Sequence, residues 1–150
     1  MKLSQLFTMQ RELDSFIQKN RIGDSDVFRE KGLALLVELA ELANETRSFK
    51  FWSTKGPSEM EVILEEYVDS IHFLLSLGIE KNFDTLTKWP EGEVTGNLTE
   101  LCLRTMESMS HFLNELTMES YERIWIHYEA IAGKLGFTID EMIEVYIVKK

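Results

Sequence analysis

Apolar residues recur along this chain at helical spacing, and strand-type alternation is absent. Leu6, Phe7, Leu13, Phe16 and Ile17 set the pattern in a first segment, from about Ser4 to Gln18. The only two prolines, Pro57 and Pro90, stand in the turn-like contexts Lys55-Gly56-Pro57-Ser58 and Trp89-Pro90-Glu91-Gly92. Five helices are expected. The second runs from about Val27 to Arg47, and the third starts after Pro57, with Ser58 as its N-cap, and ends near Gly78. A loop over about 84–96 has room for a short helical turn. The fourth helix begins near Leu98, breaks near Thr117 and continues to Leu135, where Gly136 is a natural stop. Thr138 with Glu141 forms a capping box for the last helix. The fold class is therefore all-α, a four-helix core with short additions.

The sequence given has 150 residues, which suits one domain over 1–150, and 44% hydrophobic content supplies a sizeable core. No apolar run reaches the roughly 18 residues of a membrane span, and the first residues carry no signal-peptide pattern. Cys102 is the only cysteine, so an intrachain disulfide and a zinc-thiolate cluster are excluded. A cytoplasmic location is expected. Net charge is −10, which excludes broad attraction to polymeric nucleic acid or an anionic membrane. A polyanionic small substrate is still compatible, provided metal ions or a few placed basic residues screen the repulsion.

The acids are distributed unevenly. In Val37-Glu38-Leu39-Ala40-Glu41-Leu42-Ala43-Asn44-Glu45, the residues Glu38, Glu41 and Glu45 fall within a sector of roughly 60°. Leu33, Leu36, Val37, Ala40 and Ala43 form one apolar stripe, and Leu35, Leu39 and Leu42 a second. This helix is therefore expected to be buried on most sides. No Lys or Arg lies between Gly32 and Thr46. The next helix repeats the arrangement: Glu66 and Asp69 share a face, and no Lys or Arg occurs from Pro57 through Ile79. Consecutive helices usually pack antiparallel, so the two acidic faces can meet. Four converging carboxylates repel, and a divalent cation is the simplest relief. Oxygen-only ligands favour Mg²⁺, or Mn²⁺ in its place, over zinc. The plainer reading of Glu-x-x-Glu is a solvated helix face. A di-iron carboxylate bundle needs Glu-x-x-His on each of two helices, and Asp69-x-x-His72 is the one partial match.

Glu38-x-x-Glu41 followed by Glu66-x-x-Asp69 resembles the paired metal motif of the all-α nucleoside triphosphate pyrophosphatases, the superfamily of the dimeric dUTPases and the MazG-type hydrolases. The dUTPase branch is favoured by Leu6-Phe7-Thr8-Met9-Gln10-Arg11-Glu12-Leu13-Asp14, by Leu33-Ala34-Leu35 through Asn44-Glu45, by Phe49-Lys50-Phe51-Trp52, and by Glu66 through Phe73. Similarity is concentrated in the first 80 or so residues; beyond them it rests on helical character, Leu135-Gly136-Phe137-Thr138 and Tyr146-x-x-Lys149. The resemblance implies Mg²⁺-dependent hydrolysis of dUTP, and of dUDP as well, in a homodimer. It implies that Glu38, Glu41, Glu66 and Asp69 hold the metal, and that Glu38 or Glu45 orients the attacking water. It places Gln10, Asp14, Trp52 and His72 around uracil and deoxyribose, and Lys50, Lys55 and Lys149 on the phosphates. Relatives often carry Asn where Asp14 stands, and an ionised Asp accepts hydrogen bonds but cannot donate one. The family pattern often continues past Tyr146-x-x-Lys149 with a phosphate-gripping Asn and Arg, whereas this sequence stops at Lys150.

The plainer readings are a loop anchor for Trp52, a core histidine for His72, an exposed helix face for Gln10 and Asp14, and ordinary surface charges for Lys50 and Lys55. Trp89 and Trp125 read as core or dimer-interface residues. Met106, Met109, Phe112 and Leu116 read as a core stripe. Two other functions fit the pattern less closely: a MazG-like hydrolase with a different or broader base preference, and a helical interaction module whose acidic face binds a basic partner, with the four acids dispersed over its surface.

Overall fold

A computed structural model describes residues 3–21, 23 and 26–149, with side chains described through Val148. It comprises α1 (Leu3–Asn20), α2 (Phe28–Thr46), α3 (Met60–Glu80), α4 (Leu98–Asn114), α5 (Met118–Leu135) and α6 (Ile139–Lys149). No strand occurs among the described residues, so the all-α expectation holds. The predicted fourth helix is two helices. Thr117 takes an extended conformation and caps α5 in a reciprocal box with Ser120, so α4 stops at Asn114 and the chain turns back. α4 and α5 then pack against each other.

Helix α2 packs on α3 and α4, and α3 also carries α1 and α6. The α2–α3 pair is antiparallel. At one end the Ser58 amide donates to the Glu45 carbonyl at 3.0 Å, and at the other Lys31 pairs with Glu80 at 3.1 Å. Ser58 does not cap α3 as predicted. Its hydroxyl donates to the Glu45 carboxylate, and the helix starts two residues later behind Glu59, which makes no side-chain cap. The segment 81–97 contains no helical turn. It is fastened instead by Leu3 N–H to the Thr87 carbonyl (3.0 Å), by Arg11 to Asp84 (2.6 Å) and by the Trp89 indole N–H to the Trp125 carbonyl (2.8 Å). At the C-terminal side, Gly136 ends α5 with φ +86°, and Thr138 and Glu141 exchange the predicted capping bonds.

The core is aromatic. Phe7, Tyr67, Phe112, Tyr121, Trp125, Tyr128 and Tyr146 are fully enclosed, and Trp89 packs edge-on against Trp125. Met109 and Phe112 join it, whereas Leu116 is exposed. One expectation about burial fails in part. On α2 the Leu35, Leu39 and Leu42 stripe is buried, and of the other stripe Ala43 is buried and Leu36 packs on the core, whereas Leu33 and Val37 are 62% and 47% exposed. On α1, Leu6 and Phe7 enter the core, while Phe16 and Ile17 are exposed.

Gly78 fixes how closely α3 and α5 approach. A Cβ there would meet the Tyr121 hydroxyl and ring, and that hydroxyl is committed to the Leu74 carbonyl at 2.6 Å. Gly78→Ala is therefore expected to destabilise the fold by about 1–3 kcal/mol, because overpacking outweighs alanine's helix preference of about 1 kcal/mol. Urea denaturation checks this, and a stabilised variant would contradict the packing described.

Candidate active site

The antiparallel pairing of α2 with α3 turns the acids of both helices toward one another. Glu38, Glu66 and Asp69 each offer an oxygen, and these atoms all lie within 4.8 Å of one another. The three side chains are partly buried, and Glu41, more exposed, sits close enough to act on both Glu38 and Glu66. Burial is the largest influence on Glu38, followed by the charges of Glu41, Asp69 and Glu66; together they push its carboxyl from 4.5 up to about 7. Glu66 is raised as well, by burial first, then by Glu41 and Asp69, with Glu45 a smaller contributor. Oε2 of Glu38 and Oε2 of Glu66 are buried with no hydrogen-bond partner among the described residues. Converging hard oxygen atoms, two of them unsatisfied, suit a divalent cation. Glu45 stands one helical step further along α2, with its carboxylate held by Ser58.

A cavity of about 460 Å³ opens beside this cluster, with Glu38 and Asp69 in its wall. Its apolar surface comes from Leu13, Ile17, Val27 and Phe73, and its polar groups include Gln10, Asp14, His72 and Ser76. That volume lies in the range of a small-molecule pocket. The polar groups form one network. The Gln10 amide nitrogen donates to Asp14 Oδ1 at 2.9 Å, and the Ser76 hydroxyl to Asp14 Oδ2 at 2.8 Å. Gln10 Oε1 accepts from the Tyr146 hydroxyl at 2.8 Å and faces His72 Nδ1 at 2.9 Å. The His72 ring stacks on Tyr146, centroids 4.4 Å apart. Gln10 is 3% exposed, so it is no surface residue.

The order of these parts follows α2. The cavity takes residues from the N-terminal half, the carboxylates occupy the middle, and the loop 47–59 lies beyond the C-terminus. That loop carries Lys50, Trp52 and Lys55, none of which lines the cavity. Trp52 is 65% exposed, and its ring packs edge-on against Phe49 and Phe51. The structure therefore assembles Gln10, Asp14 and His72 beside the metal-type cluster and leaves Trp52 apart from them. The side chain of Lys149 lies outside the described residues.

A family model described as dUTPase matches residues 2–150. The chain belongs to the dUTPase family. At family level its activity is that of a dUTP diphosphatase, and its substrate a nucleotide. No curated protein matches the chain. The dUTPase assignment agrees with the all-helical architecture. No described helix is long and apolar enough to cross a membrane.

Four contributors to the cavity are not evident from the sequence. Arg21 and Lys31 bring positive charge to its wall, Ser76 binds Asp14, and Tyr146 binds Gln10 from behind. Ser76 has a signal that could have found it, since it lies one turn beyond His72 on the same helix face. Tyr146 stands in the Tyr146-x-x-Lys149 element, but nothing local signals its contact with Gln10.

The raised carboxyls make a stability prediction. A carboxyl whose folded pKa is raised favours the folded state while protonated, so its contribution is full below 4.5 and lost as pH rises through about 7. Without metal, stability should fall across that window. Glu38→Gln should flatten the slope and, near about pH 8 with chelator present, stabilise the protein by about 1–2 kcal/mol after allowance for solvent screening. Denaturant melts at several pH values check this, and an unchanged slope would show that the carboxylates do not strain the metal-free fold.

Proposed function

We propose that this dUTPase-family protein hydrolyses dUTP, and dUDP, to dUMP in a Mg²⁺-dependent reaction, and so keeps the deoxyuridine nucleotide pool low. The observation that carries the metal dependence is the set of unsatisfied, mutually repelling carboxylate oxygens of Glu38 and Glu66 with Asp69. Those residues fit Mg²⁺, with Mn²⁺ as a substitute, and Glu41 completes the set. When bound, the cation supplies charge neutralisation and Lewis acidity at the phosphoryl oxygens and lowers the pKa of bound water.

The chain's own residues supply position. Gln10, Asp14 and His72 form the base and sugar end, in a cavity of a size that admits a nucleoside. The carboxylates follow, and Lys50 and Lys55 stand beyond them, in the same order as base, sugar and phosphates in the substrate. Lys149 is assigned to the phosphates with them. A base contact from Trp52 requires the 47–59 loop to fold over the cavity. Glu38 or Glu45 orients the attacking water, which adds to a phosphorus of the chain as the phosphoanhydride bond breaks; dUTP and water give dUMP and pyrophosphate. Uracil is preferred to thymine if the pocket has no room for the methyl, and to cytosine if its hydrogen bonds match O4 and N3–H.

A homodimer is part of the same proposal. The exposed Leu33 and Val37 continue into a 290 Å³ groove lined by Ala40, Ala43, Phe49, Cys102, Leu103 and Met106. A second copy of the chain would cover this apolar strip. Light scattering should give a dimer mass, and Val37→Glu with Leu103→Glu a monomer; a monomeric wild type would contradict the assembly. For the reaction, phosphate and pyrophosphate release from dUTP, dUDP, dTTP, dCTP and UTP should be confined to the deoxyuridine nucleotides and abolished by EDTA. Glu38→Gln should lower kcat/KM by about a hundredfold or more, the kinetic equivalent of several kcal/mol of charge stabilisation. Equal turnover of the other triphosphates would sink the specificity, and turnover in EDTA the metal dependence.

A further inference from the structure

The hydrogen-bond network around Gln10 admits one polarity. A carboxylate can only accept, so the Gln10 atom 2.9 Å from Asp14 Oδ1 is the amide nitrogen. Gln10 Oε1 then faces two groups, the Tyr146 hydroxyl at 2.8 Å and His72 Nδ1 at 2.9 Å, and a carbonyl oxygen requires a hydrogen from each. The reversed amide would set oxygen against the Asp14 carboxylate, a buried contact between two acceptors. Gln10 is 3% exposed and Tyr146 0%, so their hydrogen bond is made inside the protein. Burial first, and the Asp14 charge second, hold the Tyr146 phenol above its ordinary range, which keeps it a donor. Ser76 fixes the far oxygen of Asp14 at 2.8 Å. Neither partner is exhausted by these bonds: the Gln10 amide nitrogen has a second hydrogen, and the Asp14 oxygens have further lone pairs. Both residues line the cavity.

We propose that Tyr146, from the last helix, and Ser76, from α3, are positioning residues that lock Gln10 and Asp14 as an adjacent donor and acceptor. The inference rests on the reading of this cavity as the base pocket. A donor beside an acceptor complements a ring carbonyl beside a ring N–H, the edge of uracil, thymine or guanine. It opposes the amino group beside a bare ring nitrogen found in cytosine and adenine, because each mismatch buries two like groups against each other. Tyr146 thus ties base selection to the seating of α6, an element more than a hundred residues away in sequence from Gln10.

The test is calorimetric binding of dUMP and dCMP in EDTA to wild type, Tyr146→Phe, Ser76→Ala and Asp14→Asn, with kcat/KM for dUTP and dCTP alongside. Monophosphate binding does not depend on turnover or metal. Wild type should prefer dUMP by about a hundredfold or more. Tyr146→Phe keeps a ring to stack on His72 and loses only the hydroxyl; it and Ser76→Ala should each narrow the preference by about tenfold. Asp14→Asn should narrow it most, since an amide can present either polarity. If Tyr146→Phe folds poorly, the other two variants carry the test, because lost stability alone would weaken both ligands and leave their ratio unchanged. A dUMP to dCMP ratio unmoved by all three variants, with dUTP hydrolysis intact, would overturn the lock and leave the proposed function standing. Absent hydrolysis with a dUMP preference that narrows as stated would do the reverse.

Discussion

Mutual repulsion among Glu38, Glu66 and Asp69 is the constraint around which this fold is arranged. Their oxygens meet within 4.8 Å in a half-buried setting, and no Lys or Arg on α2 between Gly32 and Thr46, or on α3, offsets them. Something else must hold α2 against α3. Leu35, Leu39 and Leu42 on one side and Ile63, Tyr67, Val68 and Ile71 on the other are buried almost completely. Burying each such side chain is worth about 1.5–3 kcal/mol, which is enough to press like charges together. Apolar packing therefore supplies the force, and burial first, then the charges of Glu41, Asp69 and Glu66, push the Glu38 carboxyl up to about 7. Such a cluster of hard oxygen atoms suits a divalent cation.

The cavity beside it depends on the same pairing. Glu38 and Asp69 close one side, and α1, laid along α3, brings Gln10 and Asp14 opposite His72 and Ser76. The carboxylate cluster and the hydrogen-bond network of the cavity thus share α3 as a common floor. Anything that shifted α3 lengthwise would displace both, and Gly78 against Tyr121 sets its position relative to α5.

Local periodicity makes the acid cluster legible in the sequence. Glu38, Glu41, Glu66 and Asp69 stand on stretches of α2 and α3 without Lys or Arg, where helical spacing alone puts them on shared faces, and antiparallel packing does the rest. The capping box at Thr138 and Glu141 and the stop at Gly136 are legible for the same reason, since each involves neighbours in sequence. Features that escape such reading depend on tertiary placement. Tyr146 reaches Gln10 only because α6 folds back on α3. Arg21, just past α1, and Lys31, in the first turn of α2, join the cavity wall only in the folded chain. Ser58 has the residue type of an N-cap, yet a carboxylate across the hairpin claims its hydroxyl. The Leu33 and Val37 stripe has the spacing of a core face, and only packing decides that α3 and α4 leave it uncovered.

Titration of Mn²⁺ followed by calorimetry, in buffers of different protonation heat, addresses the carboxylate cluster most directly. With Glu38 near 7, binding at about pH 6.5 should release close to one proton, and binding at about pH 8.5 almost none. Glu66→Gln and Asp69→Asn should each weaken binding by about tenfold or more. Absent binding, or binding with no proton released at the lower pH and no response to either variant, would contradict the account of these oxygens as a preformed cation site.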